Sequence, residues 1–235
     1  MAARTMATTA AHKRTLMAQR SDARLAELIA TRILPNYTST TLLDIGCGDG
    51  VVSRHLPSQC EYTGLDISDA CIYEQRHDNP KVRYVQADQI PDLMRSEGPW
   101  DTVLLLDVIE HTRRFTPLFE LALTRANQQV VVSLPNELFV LDRLRMLRGH
   151  ELNAHSLDLL NQPEGFKHQF IVNIAKARTL LSKKAEDAGF ALKEEVLRPL
   201  VSKRSLHQPI LWGMRQLSSD QLWSMGSVFV FQRQG

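Results

Sequence analysis

Cysteine is scarce in this 235-residue chain, which holds only Cys47, Cys60 and Cys71. An odd set without a Cys-x-x-Cys pair excludes a disulfide framework and a cysteine-rich zinc site, and it suits a reducing, cytoplasmic setting. Long apolar runs are missing too: none approaches the roughly 20 residues needed to cross a bilayer, so no membrane span is expected. There is no internal repeat and no low-complexity tract. What remains is an ordinary soluble composition, 43% hydrophobic and 23% charged. Its 26.7 kDa suits one large α/β domain, or a domain with a small appendage, and a single active site.

The formal charge of +2 hides an uneven distribution. Residues 21–136 carry 10 Lys/Arg against 16 Asp/Glu, and residues 171–235 carry 10 against 5. The basic residues of the tail are scattered, with short pairs at Lys183-Lys184 and Lys203-Arg204 and no aromatic interleaving. That pattern reads either as a solvated helix face or as an attraction for anionic substrates. Residues 1–20 contain Arg4, Lys13, Arg14 and Arg20 and no acid, which fits an N-terminal helix or tail as well as a targeting segment.

Ser21 and Asp22 precede Leu25, Leu28, Ile29, Ile33 and Leu34 at helical spacing, with Pro35 as the stop, so a capped amphipathic helix is expected there. Short apolar, β-rich runs then alternate with helical stretches. Strands are predicted at Thr41–Ile45, Tyr62–Ile67, Val82–Gln86, Thr102–Leu106 and Val130–Leu134, and helices near 50–56, 69–76, 89–96 and 115–126. Such alternation builds βαβ units and a parallel sheet. A helix is predicted over 172–188, ended by Gly189, followed by final strands at Ala191–Val196 and Ser227–Gln232. Phe229 and Phe231, two apart, share one face of the last strand. The chain thus divides into a helical segment 1–40, a ligand-binding core 41–136, an insertion 137–170 over the sheet's carboxyl edge, and a completion of the same domain over 171–235.

The most specific motif is Leu42-Leu43-Asp44-Ile45-Gly46-Cys47-Gly48-Asp49-Gly50, an apolar strand running into a glycine-rich turn. Glycines at such a turn let backbone approach a ligand closely. The dinucleotide fingerprint G-x-G-x-x-G would place its third glycine at position 51, which is Val51, so the ligand differs from a nicotinamide dinucleotide. Asp44 is placed to hold an ammonium group, which S-adenosylmethionine offers and a nicotinamide cofactor does not. Asp66, twenty-two residues on, ends the second strand, where an acid accepts from both hydroxyls of a ribose. Asp88 follows the third strand, placed to accept from an amino group such as adenine's, and Asp107, Glu110 and His111 follow the fourth. Cys47 reads as a small turn residue and Asp49 as a helix cap. Four strand ends bring polar groups to one edge, where open α/β sheets bind ligands.

With these residues together, the chain resembles class I S-adenosylmethionine-dependent methyltransferases, and nearest the small-molecule branch that includes the ubiquinone-biosynthesis O-methyltransferases. The resemblance is close over residues 40–136 and holds in outline elsewhere. It implies a Rossmann-like fold with a mainly parallel seven-stranded sheet flanked by helices. It also implies that Asp44, Gly46, Cys47 and Gly48 line the methionine part of the cofactor, Asp66 and Ile67 its ribose, Asp88 and Gln89 its adenine, and Leu106 the sulfonium side.

Methyl transfer is an in-line substitution at an activated carbon, so the protein aligns the acceptor and removes its proton where needed. His111 beside Glu110 is the best base, because a histidine titrates near neutrality. In the ubiquinone-pathway enzymes the matching acid, acid and histidine hold a divalent metal, here Asp107, Glu110 and His111; Mg²⁺ or a similar cation suits two hard oxygens and an imidazole. Contact with substrate, and a plain structural role, are the alternatives for these residues. Asn136, in the turn after the fifth strand, and His150, His155 and His168 in the insertion are candidates for acceptor contact, with surface or packing roles as the alternative.

Leu106-Asp107-Val108-Ile109 stands where DNA amino methyltransferases carry Asn/Asp-Pro-Pro-aromatic, and no cysteine follows the fourth or fifth strand as a C5-cytosine nucleophile would. Nucleic-acid bases are therefore disfavoured. The expectation is a cytoplasmic enzyme that methylates a small molecule, at oxygen ahead of nitrogen or carbon. An RNA or protein methyltransferase, or a non-catalytic partner subunit of the same fold, stands as the alternative.

Overall fold

A computed structural model of the chain describes residues 23–36, 39–67, 81–159, 165, 167–199, 213 and 219–235. The helix expected at 69–76, the cap at Ser21 and Asp22, Cys71 and the Lys203-Arg204 pair lie outside these residues.

Seven strands form one sheet: β1 Thr41–Ile45, β2 Glu61–Ile67, β3 Val82–Val85, β4 Trp100–Leu106, β5 Ala126–Pro135, β6 Phe190–Pro199 and β7 Ser224–Arg233. Their spatial order is β3-β2-β1-β4-β5-β7-β6. The first five run parallel, while β7 lies antiparallel between β5 and β6. All seven predicted strands are present. The later ones extend further than their apolar runs, because pairing with neighbours recruits flanking polar residues such as Gln129, paired with Gln232.

The central strands are apolar on both faces because both faces are covered. Leu43, Ile45, Val103, Leu105, Val130, Val132, Phe229 and Phe231 pack on one side with Met94, Phe119, Leu123, Leu181 and Ala185. Those partners come from α2 Ile90–Ser96, α3 Phe115–Arg125 and α5 Ile174–Asp187. The alternate residues Leu42, Leu104, Val131, Val228 and Val230 face Leu25, Ile29 and Ile33. Those three lie on the predicted N-terminal helix, α1, which is α-helical over 23–28 and widens into a π-helical turn at Ile29–Ile33 before Leu34–Asn36.

Local chemistry sets several ends. The helix expected at 50–56 is a 3₁₀ segment, Val51–His55, entered through left-handed Gly50 and stopped at Leu56, whose extended backbone precedes Pro57. The Asn173 side chain caps α5 by accepting from Lys176 N, and Gly189, at φ +79°, ends it. The insertion holds a helix absent from the sequence reading, α4 Val140–Leu147, which buries none of its residues. Among the described residues no helix is long and apolar enough to cross a membrane.

Phe231 is fully buried, its ring edge-on to Phe119 at 5.5 Å and stacked on Phe229 at 6.4 Å. Truncation by Phe231→Ala is expected to cost about 3–5 kcal/mol, read as a lower denaturation midpoint at unchanged denaturant slope.

Candidate functional site

A cavity of about 830 Å³ opens at the carboxyl ends of the parallel strands. Its floor is the turn after β1, where Gly46, Gly48 and Gly50 all have positive φ, at +69°, +59° and +72°. Gly46 N and Cys47 N donate to Leu65 O, which fastens the turn to β2. A Cβ at Gly46 would collide with Val108 of the turn after β4, so the two turns meet with no room for a side chain.

Asp44 lies beneath this turn, 1% exposed. Tyr62 Oη donates to its Oδ2 at 2.8 Å, while Oδ1 is sealed from solvent and has no hydrogen-bond partner. Burial, aided by the charge of Asp66 and opposed by the Tyr62 hydrogen bond, pushes the Asp44 carboxyl up to about 7. An unpaired carboxylate oxygen aimed into a cavity fits a cationic group of a ligand. Burial likewise pushes the Cys47 thiol up, so it stays protonated.

Asp66 ends β2 with both oxygens oriented by backbone: Gly48 N donates to Oδ2 at 2.5 Å and Ile67 N to Oδ1 at 2.7 Å. Ile67, Asp88 and Leu106 also line the cavity. Gln89 is not part of the lining; its Oε1 accepts from Gln86 N and closes the turn before α2. Asp49, read as a helix cap, lines the cavity and pairs with Arg54 at 2.8 Å.

The far wall is built after β4. Asp107 adopts φ +52°, rare for a residue with a side chain. Its carboxylate accepts from Arg198 Nη1 at 2.7 Å and from Ser133 Oγ at 2.7 Å. Burial works against ionisation, yet Arg198 and Ser133 hold Asp107 below the usual carboxylate range. Glu110 is fully buried with neither carboxylate oxygen partnered, and burial, then the charge of Asp107, raises it well above that range. Burial and the Asp107 charge thus both disfavour the charged form of Glu110 beside His111.

His111 Nδ1 lies 3.3 Å from Lys167 O. A carbonyl only accepts, so Nδ1 carries the proton and Nε2 is left with its lone pair. Burial, with His168 adding to it, pushes the imidazole down to about 4. His168 packs edge-on to His111, with ring centroids 4.6 Å apart. Asp107, taken up by Arg198 and Ser133, does not join Glu110 and His111 as a ligand set; the ligand atoms that lie within 4.8 Å of one another are those of Glu110, His111 and His168.

Of the insertion candidates, His168 lines the cavity, whereas His150 and His155 do not. Asn136 lies outside it as well: its Nδ2 donates to Gln221 O and Ser224 O, and its Oδ1 accepts from Leu138 N, tying the end of β5 to the start of β7. The sequence reading missed Tyr62, Arg198 and Glu137. Tyr62, a strand residue whose hydroxyl needs a partner when buried, carried a faint signal. Arg198, 91 residues from Asp107, carried none.

Residues 14–206 match the family model described as a methyltransferase domain. A ubiquinone biosynthesis O-methyltransferase from Rickettsia typhi is 35% identical over 94 residues, 36% of this chain. The match spans 37% of that relative's length. A SAM-dependent methyltransferase from Archaeoglobus fulgidus has the same fold at 17% identity, with a TM-score of 0.57 over 88% of this chain and 94% of that one. Magnesium protoporphyrin IX methyltransferase from Synechocystis PCC 6803 with bound SAH aligns at 15% identity, with a TM-score of 0.54 over 90% and 83%. At these identities the structural likeness is one of fold.

Two outcomes are expected at the turn after β1. Gly46→Ala meets both left-handed strain of roughly 1–2 kcal/mol and the Val108 side chain, so it should lower the melting temperature and abolish binding of S-adenosylhomocysteine. The second concerns pH. The empty site holds Asp44 protonated below about 7, and an ammonium group binds the ionised form. Affinity for S-adenosylhomocysteine should rise with pH, by up to about tenfold per unit, and level off above 7, with proton uptake by buffer below that point. The ligand-free fold behaves oppositely: because the folded value lies above the unfolded one, Asp44's contribution to stability fades as pH rises from about 4 to 7. Tyr62, Cys47 and Asp66 face the same carboxyl, and Asp44→Asn should flatten both profiles, as calorimetry across pH 5.5–8 would show.

Proposed function

The chain belongs to the methyltransferase domain family, and from that premise we propose that it carries a methyl group from S-adenosylmethionine to an oxygen of a small-molecule acceptor, with His111 as the base. The observation that carries this reading is the His111 imidazole in the cavity wall, its Nδ1 proton held by Lys167 O and its Nε2 free to accept.

The residues fit the cofactor. Asp44 Oδ1, buried and unpartnered, would take the ammonium, and the turn at Gly46, Cys47 and Gly48 would take the rest of the methionine part. Asp66 and Ile67 would hold the ribose, Asp88 the adenine, and Leu106 the sulfonium side. S-adenosylmethionine supplies a methyl carbon activated by positive sulfur.

The chain's own groups do the remainder. His111 Nε2 would accept the acceptor hydroxyl proton, while Nδ1 stays anchored to Lys167 O so that the ring does not turn. Burial and the Asp107 charge disfavour a negative charge on Glu110 beside the developing oxyanion. His168 flanks His111 and meets the acceptor, whereas His150 and His155 stand outside the cavity and take no part in the reaction. The insertion 137–170 carries His168 and thereby shapes the acceptor's space.

His111→Gln should lower turnover by about 10²–10⁴-fold and leave S-adenosylhomocysteine affinity within a factor of about three. The measurement is S-adenosylhomocysteine release with panels of phenols, carboxylic acids and hydroxylated lipids precursors, beside RNA and protein substrates. Binding without turnover on any small molecule would sink the reading, favouring a macromolecular acceptor if those substrates react and a partner-subunit role if nothing does.

A further inference from the structure

Behind the cavity wall lies a second convergence of polar side chains, two of which the reaction does not use. Glu137 follows the end of β5 and is 5% exposed. Its Oε1 lies 2.9 Å from His168 Nδ1 and 2.9 Å from His155 Nε2, and its Oε2 accepts from Val172 N at 2.8 Å. The His168 contact is a well-formed hydrogen bond. The His155 contact is equally short, yet His155 Nε2, sealed from solvent, is not in line for one.

We propose that Glu137, His155 and His168 form a binding site for a divalent cation of the zinc class, which ties the insertion to the end of β5. Two imidazoles and one carboxylate are a donor set that Zn²⁺ accepts with a fourth position left for water. The three ligand atoms lie within 4.8 Å of one another. Bonds of about 2.0–2.2 Å put tetrahedral neighbours roughly 3.3 Å apart, so the 2.9 Å separations need open by only about 0.4 Å.

Charge points the same way. Among the described residues the ion-pair partners of Glu137 are these two imidazoles, which carry no fixed charge. A buried carboxylate gains from a full positive charge beside it, and a cation between the three side chains would supply one. Between α4 and α5 the insertion's regular structure, among the described residues, is limited to the 3₁₀ turns Asn153–His155 and Leu157–Leu159. His155 and His168 are brought together there by His168 N donating to Ala154 O. A cation on His168 Nδ1 would fix the ring that packs against His111.

The test is metal stoichiometry, which is independent of methyl transfer. The full chain is stripped with a chelator, dialysed against ZnCl₂ and assayed by mass spectrometry, with affinity from competition against a chromophoric chelator. About one zinc per chain is expected, weakened by more than about 100-fold in His155→Ala and Glu137→Gln, beyond the cost of losing a supporting contact, and retained in Glu110→Gln. A wild-type chain without zinc overturns the proposal. So does zinc that persists in His155→Ala and Glu137→Gln but is lost in Glu110→Gln, since that ion would sit in the cavity with Glu110 and His111. Absence of zinc from the wild-type chain overturns the proposal whether or not a variant folds.

Discussion

The contact between Gly46 and Val108 is the constraint around which the site is arranged. In this sheet β1 and β4 are neighbours, although β2 and β3 lie between them in sequence and on the other side of β1 in space. The order therefore reverses at β1, and a crevice opens beyond the two carboxyl ends, as expected at a topological switch point. Because a side chain at Gly46 has no room against Val108, the two turns close the crevice's base. That leaves Asp44 below the floor and His111 in the wall of one cavity.

Low dielectric makes the acids of this cavity behave differently from one another. Asp44 keeps one oxygen on Tyr62 and one unpartnered, so it gains a counter-charge only from a ligand. Asp107 has its counter-charge in Arg198 and stays ionised, although its backbone is held at positive φ. Glu110, with no partner and the ionised Asp107 nearby, is pushed toward its protonated form. Three carboxyl groups at the ends of neighbouring strands thus differ: one has an unpartnered oxygen in the cavity, one is a structural anion, and one is disfavoured as an anion. Burial and partners assign those roles, while residue type does not.

Much of this was legible beforehand. The glycine turn after an apolar strand, with Asp66 near the end of the next strand, marked the edge at which the cavity opens, since backbone conformation and strand-end position follow from local sequence. All seven strands were readable because a sheet covered on both faces demands apolar, β-branched residues. Gln89 and Asn136 were placed on the right edge, yet the structure spends their amides on turns. Adjacency in sequence reveals the edge, whereas hydrogen-bond satisfaction decides whether an amide has capacity left for a ligand. The helix Val140–Leu147 carries Leu141, Leu144 and Leu147 at helical spacing, a signal passed over in reading 137–170 as an insertion, and it packs none of them into the core.

The sequence by itself determined the strand–turn–helix order, the apolar strands, the glycines that let the first turn close, and the acids at successive strand ends. These depend on dihedral preference and on short-range pattern, which a single chain segment contains. Tertiary structure alone decided which acids are charged, which imidazole nitrogen is free, and which histidines reach the cavity. Those properties arise from partners far apart in the chain, such as Arg198 with Asp107 and His168 with Glu137. Their energies depend on burial, which no spacing along the sequence encodes.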